Sequence, residues 1–303
     1  MDSLFRSGFV TLIGRPNVGK STLLNALLGQ KVAAVSPRPQ TTRRRQLGIL
    51  TLKTAQLVFM DTPGIHKPQH QLGQYMNEVA LQTIPDADVV IWLVDASVSP
   101  HPEDKLIAKQ IVEHPVPGWL LMVLNKCDLI ASDEIKHRTE QYSELCPNVE
   151  TLPISSLDEK NRQELLDKVI AHLPEGPAYY DEDQVTDLYE RDIAADLIRE
   201  AALYHLRDEI PHSIGVKIDE YTERSDQLAY ILATLHLERE NHKGIVIGKG
   251  GEMLKKIGST ARKEIETMSG RKVFLELKVK VNKNWRDNPE ALSQLGYVLP
   301  KDD

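Results

Sequence analysis

Gly14-Arg15-Pro16-Asn17-Val18-Gly19-Lys20-Ser21 is the stretch from which the rest of the chain can be read. Its spacing is Gly, four residues, then Gly-Lys-Ser, and Thr22 follows. On its N-terminal side Phe9-Val10-Thr11-Leu12-Ile13 is a short β-rich run. On its C-terminal side residues 22–28 are helix-forming, and Gly29 stands where a helix C-cap belongs. A strand that feeds such a loop, with a helix starting behind it, aims successive backbone N–H groups and the positive helix end at an anion. Lys20 is placed to reach β- and γ-phosphates, and the Ser21 hydroxyl to hold magnesium. A Gly-rich turn before an ordinary helix also satisfies the bare pattern. The strand before and the helix after select a phosphate loop.

Downstream, Pro37-Arg38-Pro39-Gln40-Thr41-Thr42-Arg43-Arg44-Arg45 is polar and twice interrupted by proline, so it reads as a loop. In nucleotide switches a loop at this place carries a threonine that joins the magnesium shell when the γ-phosphate is present. Thr42 is the candidate, with Thr41 the alternative. Residues 55–60 form a strand-like run that ends in Asp61-Thr62-Pro63-Gly64. An aspartate at the end of a buried strand beside a phosphate loop binds magnesium, usually through water, and a glycine N–H can approach the γ-phosphate.

Two further apolar runs, residues 88–95 and 119–124, suit parallel strands covered on both faces. The second leads into Asn125-Lys126-Cys127-Asp128. The Asp128 carboxylate is suited to accept from the ring N–H and exocyclic amine of guanine. Adenine lacks that amine, and a mismatched buried carboxylate loses on the order of several kcal/mol. The Lys126 stem can lie along the base plane. Residues 149–154 are the last strand candidate and run into Ser155-Ser156, whose backbone is placed to meet a base carbonyl. Residues 164–170 close the domain as a helix. The alternation predicts an α/β fold, a doubly wound and mostly parallel sheet with helices on both faces and the ligand at the carboxyl ends of the strands.

The set formed by residues 14–21, Thr42, residues 61–64 and residues 125–128 resembles the translation-factor class of GTPases. The finer spelling resembles the Era family of bacterial GTPases: Arg-Pro-Asn-Val-Gly-Lys-Ser-Thr-Leu-Leu-Asn from Arg15, Gln40-Thr41-Thr42-Arg43, and Asp61-Thr62-Pro63-Gly64-Ile65. The resemblance implies GTP hydrolysis with GTP/GDP and Mg2+ as ligands. It implies a catalytic set of Asn17, Lys20, Thr42 and Gly64, and metal contacts from Ser21, Thr42 and Asp61. Nucleotide contacts are expected from Gly14, Arg15, Pro16, Asn17, Val18, Gly19, Lys20, Ser21 and Thr22. Further ones are expected from Asp61, Thr62, Pro63, Gly64 and Ile65, and from Asn125, Lys126, Asp128, Ser155 and Ser156. Where that family more often has Ser-Ala, this chain has Ser155-Ser156. Ile65 occupies the position at which small GTPases carry a water-orienting glutamine, so unaided hydrolysis is expected to be slow. Related GTPases with this loop spelling use the residue matching Asn17 to help hold potassium near the phosphates, which implies K+ as a further ligand.

The chain of 303 residues suggests two domains, here 1–174 and 188–303 with a linker at 175–187. Its composition, 41% hydrophobic and 27% charged, is that of an ordinary soluble protein. Cys127 and Cys146 show neither metal spacing nor a disulfide framework, which suits a reducing cytosol. A signal peptide's apolar core is missing from the first residues, and no run approaches the roughly 20 apolar residues a membrane helix needs. A cytoplasmic location is expected, with peripheral contact at the inner face of the cell membrane compatible with it.

The net charge of −7 is unevenly spread. Residues 175–229 hold 15 acidic and 5 basic residues, whereas residues 239–286 hold 13 basic and 5 acidic. Within that basic stretch stands Ile247-Gly248-Lys249-Gly250-Gly251, and Gly248 and Gly251 fit the Gly-x-x-Gly clamp of a KH domain. Behind it Leu254, Ile257, Ala261, Ile265 and Met268 form a helical stripe, which leaves Lys255, Lys256, Arg262 and Lys263 outward. A helix over 188–207, strands over 213–218 and 227–237, and a strand over 272–279 complete the frame. Its order resembles the bacterial KH arrangement, an α+β RNA-binding fold, with Ile247 to Gly251, Lys255, Lys256 and Arg262 as RNA contacts.

By the family resemblance, the RNA is small-subunit ribosomal RNA near its 3′ end and the role is assembly of the small ribosomal subunit. A monomer that binds no DNA is expected. The alternative is an RNA-binding assembly factor whose guanine nucleotide is structural and rarely turned over.

Overall fold

A computed structural model of the chain describes residues 4–36, 38, 40–113 and 116–298. Pro37 and Pro39 of the expected loop lie outside the described residues. In chain order the first part contains β1 (Arg6–Ile13), α1 (Lys20–Leu28), β2 (Gln46–Thr51), β3 (Ala55–Asp61), α2 (Gln71–Gln82) and β4 (Val89–Asp95). It continues with α3 (Pro102–Glu113), β5 (Trp119–Asn125), α4 (Ser132–Ser143), β6 (Glu150–Pro153) and α5 (Glu159–His172). The six strands form one sheet in the order β2-β3-β1-β4-β5-β6. β2 runs antiparallel to β3 and the other pairings are parallel.

The parallel register aligns the functional strand ends. Leu12 pairs with Asp61, and Asp95 pairs with Asn125. Every residue of β3 and of β4 is buried, as both-face coverage of parallel strands requires. Two apolar clusters, one containing Leu23, Leu57 and Leu93 and the other Ile65, Trp92 and Ile107, hold the helices to the sheet. The segment 175–187, read above as a linker, is bonded along the sheet instead. Ile49 N–H donates to Val185 O at 2.8 Å, and the Gln56 side chain bonds the backbone of Tyr179 and Tyr180.

The C-terminal part contains α6 (Glu190–His205), β7 (Gly215–Ser225), β8 (Leu228–Leu237), α7 (Glu240–Ile247), α8 (Glu252–Ser269), β9 (Lys272–Val281) and α9 (Pro289–Gln294). β8 pairs antiparallel with β7 and parallel with β9. The α8 stripe buries Ile257, Ala261 and Ile265 completely against the sheet cluster. Each such isoleucine contributes about 1.5–3 kcal/mol by leaving water. Trp285 is fully buried, and its indole N–H donates to Ser213 O at 2.9 Å, which anchors the tail. The chain separates into two compact units. Leu188–Asp303 falls in the second, together with Ala34–Thr41 and Pro68–Tyr75.

Candidate functional site

The phosphate loop runs from β1 into α1, and α1 begins at Lys20 with no side-chain cap of its own. Its first N–H groups are thus left for a ligand. Lys20 is 6% exposed, and its Nζ donates to Gly14 O at 3.0 Å and Arg15 O at 3.2 Å. Burial pushes its pKa down to about 8, with Asp61 opposing the shift and Arg15 adding to it. An anion beside this amine would reverse that shift, so the buried lysine is suited to phosphate.

Three oxygens gather beside it. Ser21 Oγ donates to Asp61 Oδ2 at 2.8 Å and lies 2.9 Å from Thr42 Oγ1, which itself donates to Asp61 Oδ2 at 3.2 Å. Thr41 is elsewhere, donating to Arg38 O at 3.1 Å, so the geometry separates the two threonines. Asp61 is fully buried and its Oδ1 has no hydrogen-bond partner. Burial raises its pKa, against the lowering effect of Lys20 and the Ser21, Thr42 and Gln46 bonds. One open carboxylate oxygen beside two hydroxyls is a hard donor set of the kind magnesium takes together with phosphate oxygens and water. Among the described residues no three His, Cys, Asp or Glu side chains assemble as a self-sufficient metal cluster.

Gly64 lies directly against the loop. A Cβ there would stand 2.5 Å from Pro16 N and 2.7 Å from Pro16 Cα, so only glycine fits. The next N–H, of Ile65, donates to Gly14 O at 3.1 Å. The Ile65 side chain is turned into the apolar cluster at 1% exposure, and Val18 is likewise buried. Both can offer a ligand only backbone, and this narrows what their sequence position suggested. Thr62 hydroxyl bonds Leu12 O at 2.6 Å, which ties β3 to β1, and Pro63 is buried with it.

At the base end, Asn125 Nδ2 donates to Val18 O at 2.8 Å, while its Oδ1 accepts Ser156 N–H and Ser156 Oγ, both at 2.9 Å. Ser156 therefore holds Asn125, so the N–H expected to meet a base carbonyl is given to this bond. Ser155 is buried beside it. Lys126 Nζ donates to Asn17 O at 2.8 Å, joining the base end to the phosphate loop. Asn17 is exposed at the loop crown with φ 65°, and Asp128 is exposed. Arg15 and Pro16 are half-buried, and Ser21 and Thr22 line the start of α1.

In the C-terminal unit Gly248, Gly250 and Gly251 have φ of 75°, 62° and 84°, in the left-handed region that favours glycine. A Cβ on Gly250 or Gly251 would meet nothing, which leaves the outer side of the turn open. A groove of about 450 Å³ adjoins it, lined among others by Gly251, Lys255, Arg262, Leu254, Leu275 and Leu277. Lys249, Lys255, Lys256 and Arg262 are exposed, Ile247 is half-buried, and Lys256 is not among the residues lining the groove.

A family model described as a 50S ribosome-binding GTPase matches residues 9–126, and a KH-domain model matches residues 209–286. GTPase Era of Ruminiclostridium cellulolyticum is 47% identical over 297 residues, 98% of this chain and 99% of the relative. The chain belongs to the Era family of GTPases. Era of Caldanaerobacter subterraneus subsp. tengcongensis is 45% identical over 298 residues, with the same coverage. Two solved Era structures superpose with a TM-score of 0.92 at 40% identity, covering 97% of this chain and 100% of theirs. One holds MgGDPNP and nucleotides 1506–1542 of 16S ribosomal RNA, and the other is an Aquifex aeolicus Era variant bound to GDP and AlF4−. The chain is accordingly a GTPase with a C-terminal KH domain.

Sequence reasoning missed several residues of the site. Gln46, whose Nε2 reaches Asp61 Oδ2 at 3.4 Å, lies on a strand that carries no clear signal. Asp95, which accepts Lys126 Nζ, ends a run whose pattern is otherwise apolar. Arg199 on α6, 2% exposed, donates to the carbonyl oxygens of Gln40 and Thr41 within the second unit. A single arginine in a helical stripe gives no warning of that.

Proposed function

We propose that the chain is a GTP-dependent switch that binds small-subunit ribosomal RNA near its 3′ end and acts in assembly of the small ribosomal subunit. The observation that carries the switch is the Ser21–Thr42–Asp61 cluster. A loop threonine bonded to both the phosphate-loop serine and a buried aspartate with one open oxygen marks a place where a loop can report the γ-phosphate. Ser21, Thr42 and Asp61 would hold Mg2+, which supplies charge neutralisation between the phosphates. Lys20 and the N–H groups of residues 14–22 bind the phosphates, and the Gly64 N–H meets the γ-phosphate. Asp128, Lys126 and Asn125 read guanine. Because Ile65 is buried in the core, water positioning falls to other groups, and Asn17 at the exposed crown is suited to share a K+ ion with the phosphates.

The RNA assignment rests on the open Gly-x-x-Gly turn, the adjoining groove and the excess of cations around them. A relative with 40% identity over nearly the whole chain holds 16S ribosomal RNA. A monomer working on the small subunit in the cytoplasm follows from this reading, with peripheral membrane contact secondary. Among the described residues no helix is long and apolar enough to cross a membrane.

The deciding measurement is GTP turnover in potassium and in sodium buffer, with and without a small-subunit 3′-end RNA, for the parent chain and for Asn17→Ala and Asp61→Ala. Turnover that needs potassium, rises with RNA and is lost in both variants supports the switch. Background turnover under every condition, with RNA binding retained, favours the alternative the buried Ile65 leaves open, an RNA-binding factor with a structural nucleotide.

A further inference from the structure

Two cations of the nucleotide site converge on one carboxylate that neither end of a nucleotide is expected to touch. Asp95 closes β4 and is 6% exposed. Its Oδ2 accepts Lys126 Nζ at 2.6 Å, and Arg15 Nη2 of the phosphate loop stands 3.6 Å from the same oxygen. Its Oδ1 accepts the Ser97 N–H at 3.1 Å and the Ser97 hydroxyl at 2.5 Å, so the carboxylate plane is fixed from both sides. The Tyr142 hydroxyl donates to Asp95 O at 3.0 Å and steadies the strand end.

Arg15 also pairs with a second buried carboxylate. Its Nε lies 3.4 Å from Asp104 Oδ2, on a carboxylate with no exposed surface. That oxygen also accepts the His101 N–H at 2.9 Å, a bond that caps the start of α3. Arg15 thus bridges β4 and α3, and Asp95 lies between its guanidinium and the Lys126 ammonium. Without the carboxylate these two cations would face each other in a half-buried space. Burial alone would raise the Asp95 carboxyl, but the Lys126 and Ser97 bonds outweigh it and hold the group below the usual carboxylate range.

Lys126 also needs an anchor for its backbone. It sits at φ 66°, a left-handed conformation uncommon for a residue other than glycine. Its Nζ donates to Asn17 O and Asp95 Oδ2, and Asp95 supplies the charged partner.

We propose that Asp95 is a positioning residue for guanine-nucleotide binding, fixing Lys126 beside the base and Arg15 in the phosphate loop through one buried carboxylate. This rests on the reading of Lys126 as a base contact. The two ends of the site then share an anchor, and loosening it releases the nucleotide without changing which base is read, since Asp128 carries that choice.

The test uses the full chain and fluorescent GDP in magnesium buffer, with Asp95→Asn, Asp95→Ser, Lys126→Met and the Asp95→Asn/Lys126→Met double variant. Two substitutions at Asp95 guard against a folding loss in either, and melting of each nucleotide-free protein is followed alongside. GDP is expected to dissociate about tenfold to a hundredfold faster from the Asp95 variants, the range that loss of one charge-assisted bond gives. The ratio of GTP to ITP affinity is expected to stay within about twofold of the parent. The double variant is expected to lose clearly less than the sum of the two single variants, because the Asp95–Lys126 contact is broken in both. Additive losses, or parent-like dissociation from Asp95→Asn while Lys126→Met is impaired, would overturn the proposal alone. Parent-like binding by Lys126→Met would instead overturn the reading of Lys126 on which it rests.

Discussion

At the scale of single residues, Lys20 shows how burial and function are linked. Its amine is held in a protein-lined space and its pKa falls to about 8, because desolvation outweighs the attraction of Asp61. Bound phosphates favour the charged amine, so the bound state carries more protons than the free state above about pH 8, and affinity falls as pH rises through that range. Calorimetric titration of GDP without magnesium at pH 8.5, in two buffers of different ionisation heat, is expected to show uptake of about three quarters of a proton. No uptake would mean that Lys20 is already fully charged in the free protein. The motif around Lys20 was legible because its spacing is fixed by what the backbone must do around a phosphate. The choice between Thr41 and Thr42 was not, since both hydroxyls occupy adjacent places in one polar loop and only the fold brings Thr42 to Ser21.

At the scale of elements, the strands that read most plainly were those with continuous apolar runs, β4 and β5, because parallel strands covered on both faces admit little else. β2 escaped. It is short, joins the sheet as its antiparallel edge, and carries Gly48, where a Cβ would come within 2.6 Å of Leu24 Cδ1 on α1. Its sequence reads as a weak strand because helix packing, not strand propensity, dictates that residue. The helix α6 was legible as an amphipathic stripe, but its buried Arg199 was not. That guanidinium serves two backbone carbonyls and pairs with Asp196 at 3.0 Å. Arg199→Met is expected to cost about 2–3 kcal/mol in denaturant unfolding, as charged hydrogen bonds to two half-buried carbonyls are lost. It is also expected to speed amide exchange at Gln40 and Thr41. Exchange at the parent rate in the folded variant would show that the order of this segment does not depend on Arg199.

At the scale of the molecule, the order of a nucleotide-binding unit and a basic RNA-binding unit was legible, since each carries its own motif and its own apolar pattern. The grouping of Ala34–Thr41 and Pro68–Tyr75 with the C-terminal unit was not, because continuity along the chain says nothing about which core a loop joins. Charge follows the same division. A chain of net charge −7 concentrates a local excess of cations at residues 239–286, which favours a localised contact with a polyanion. If Lys249, Lys255, Lys256 and Arg262 each meet a phosphate of single-stranded RNA, the logarithm of affinity falls with the logarithm of salt at a slope of about −3. Replacing Lys255 and Arg262 together by alanine is expected to reduce that slope by about 1.4, while Lys109→Ala, on the exposed side of α3, leaves it unchanged. Filter binding or fluorescence anisotropy across a salt series gives both slopes. Equal slopes for the parent and the double variant would place the phosphate contacts away from the groove, whatever the affinity at one salt concentration.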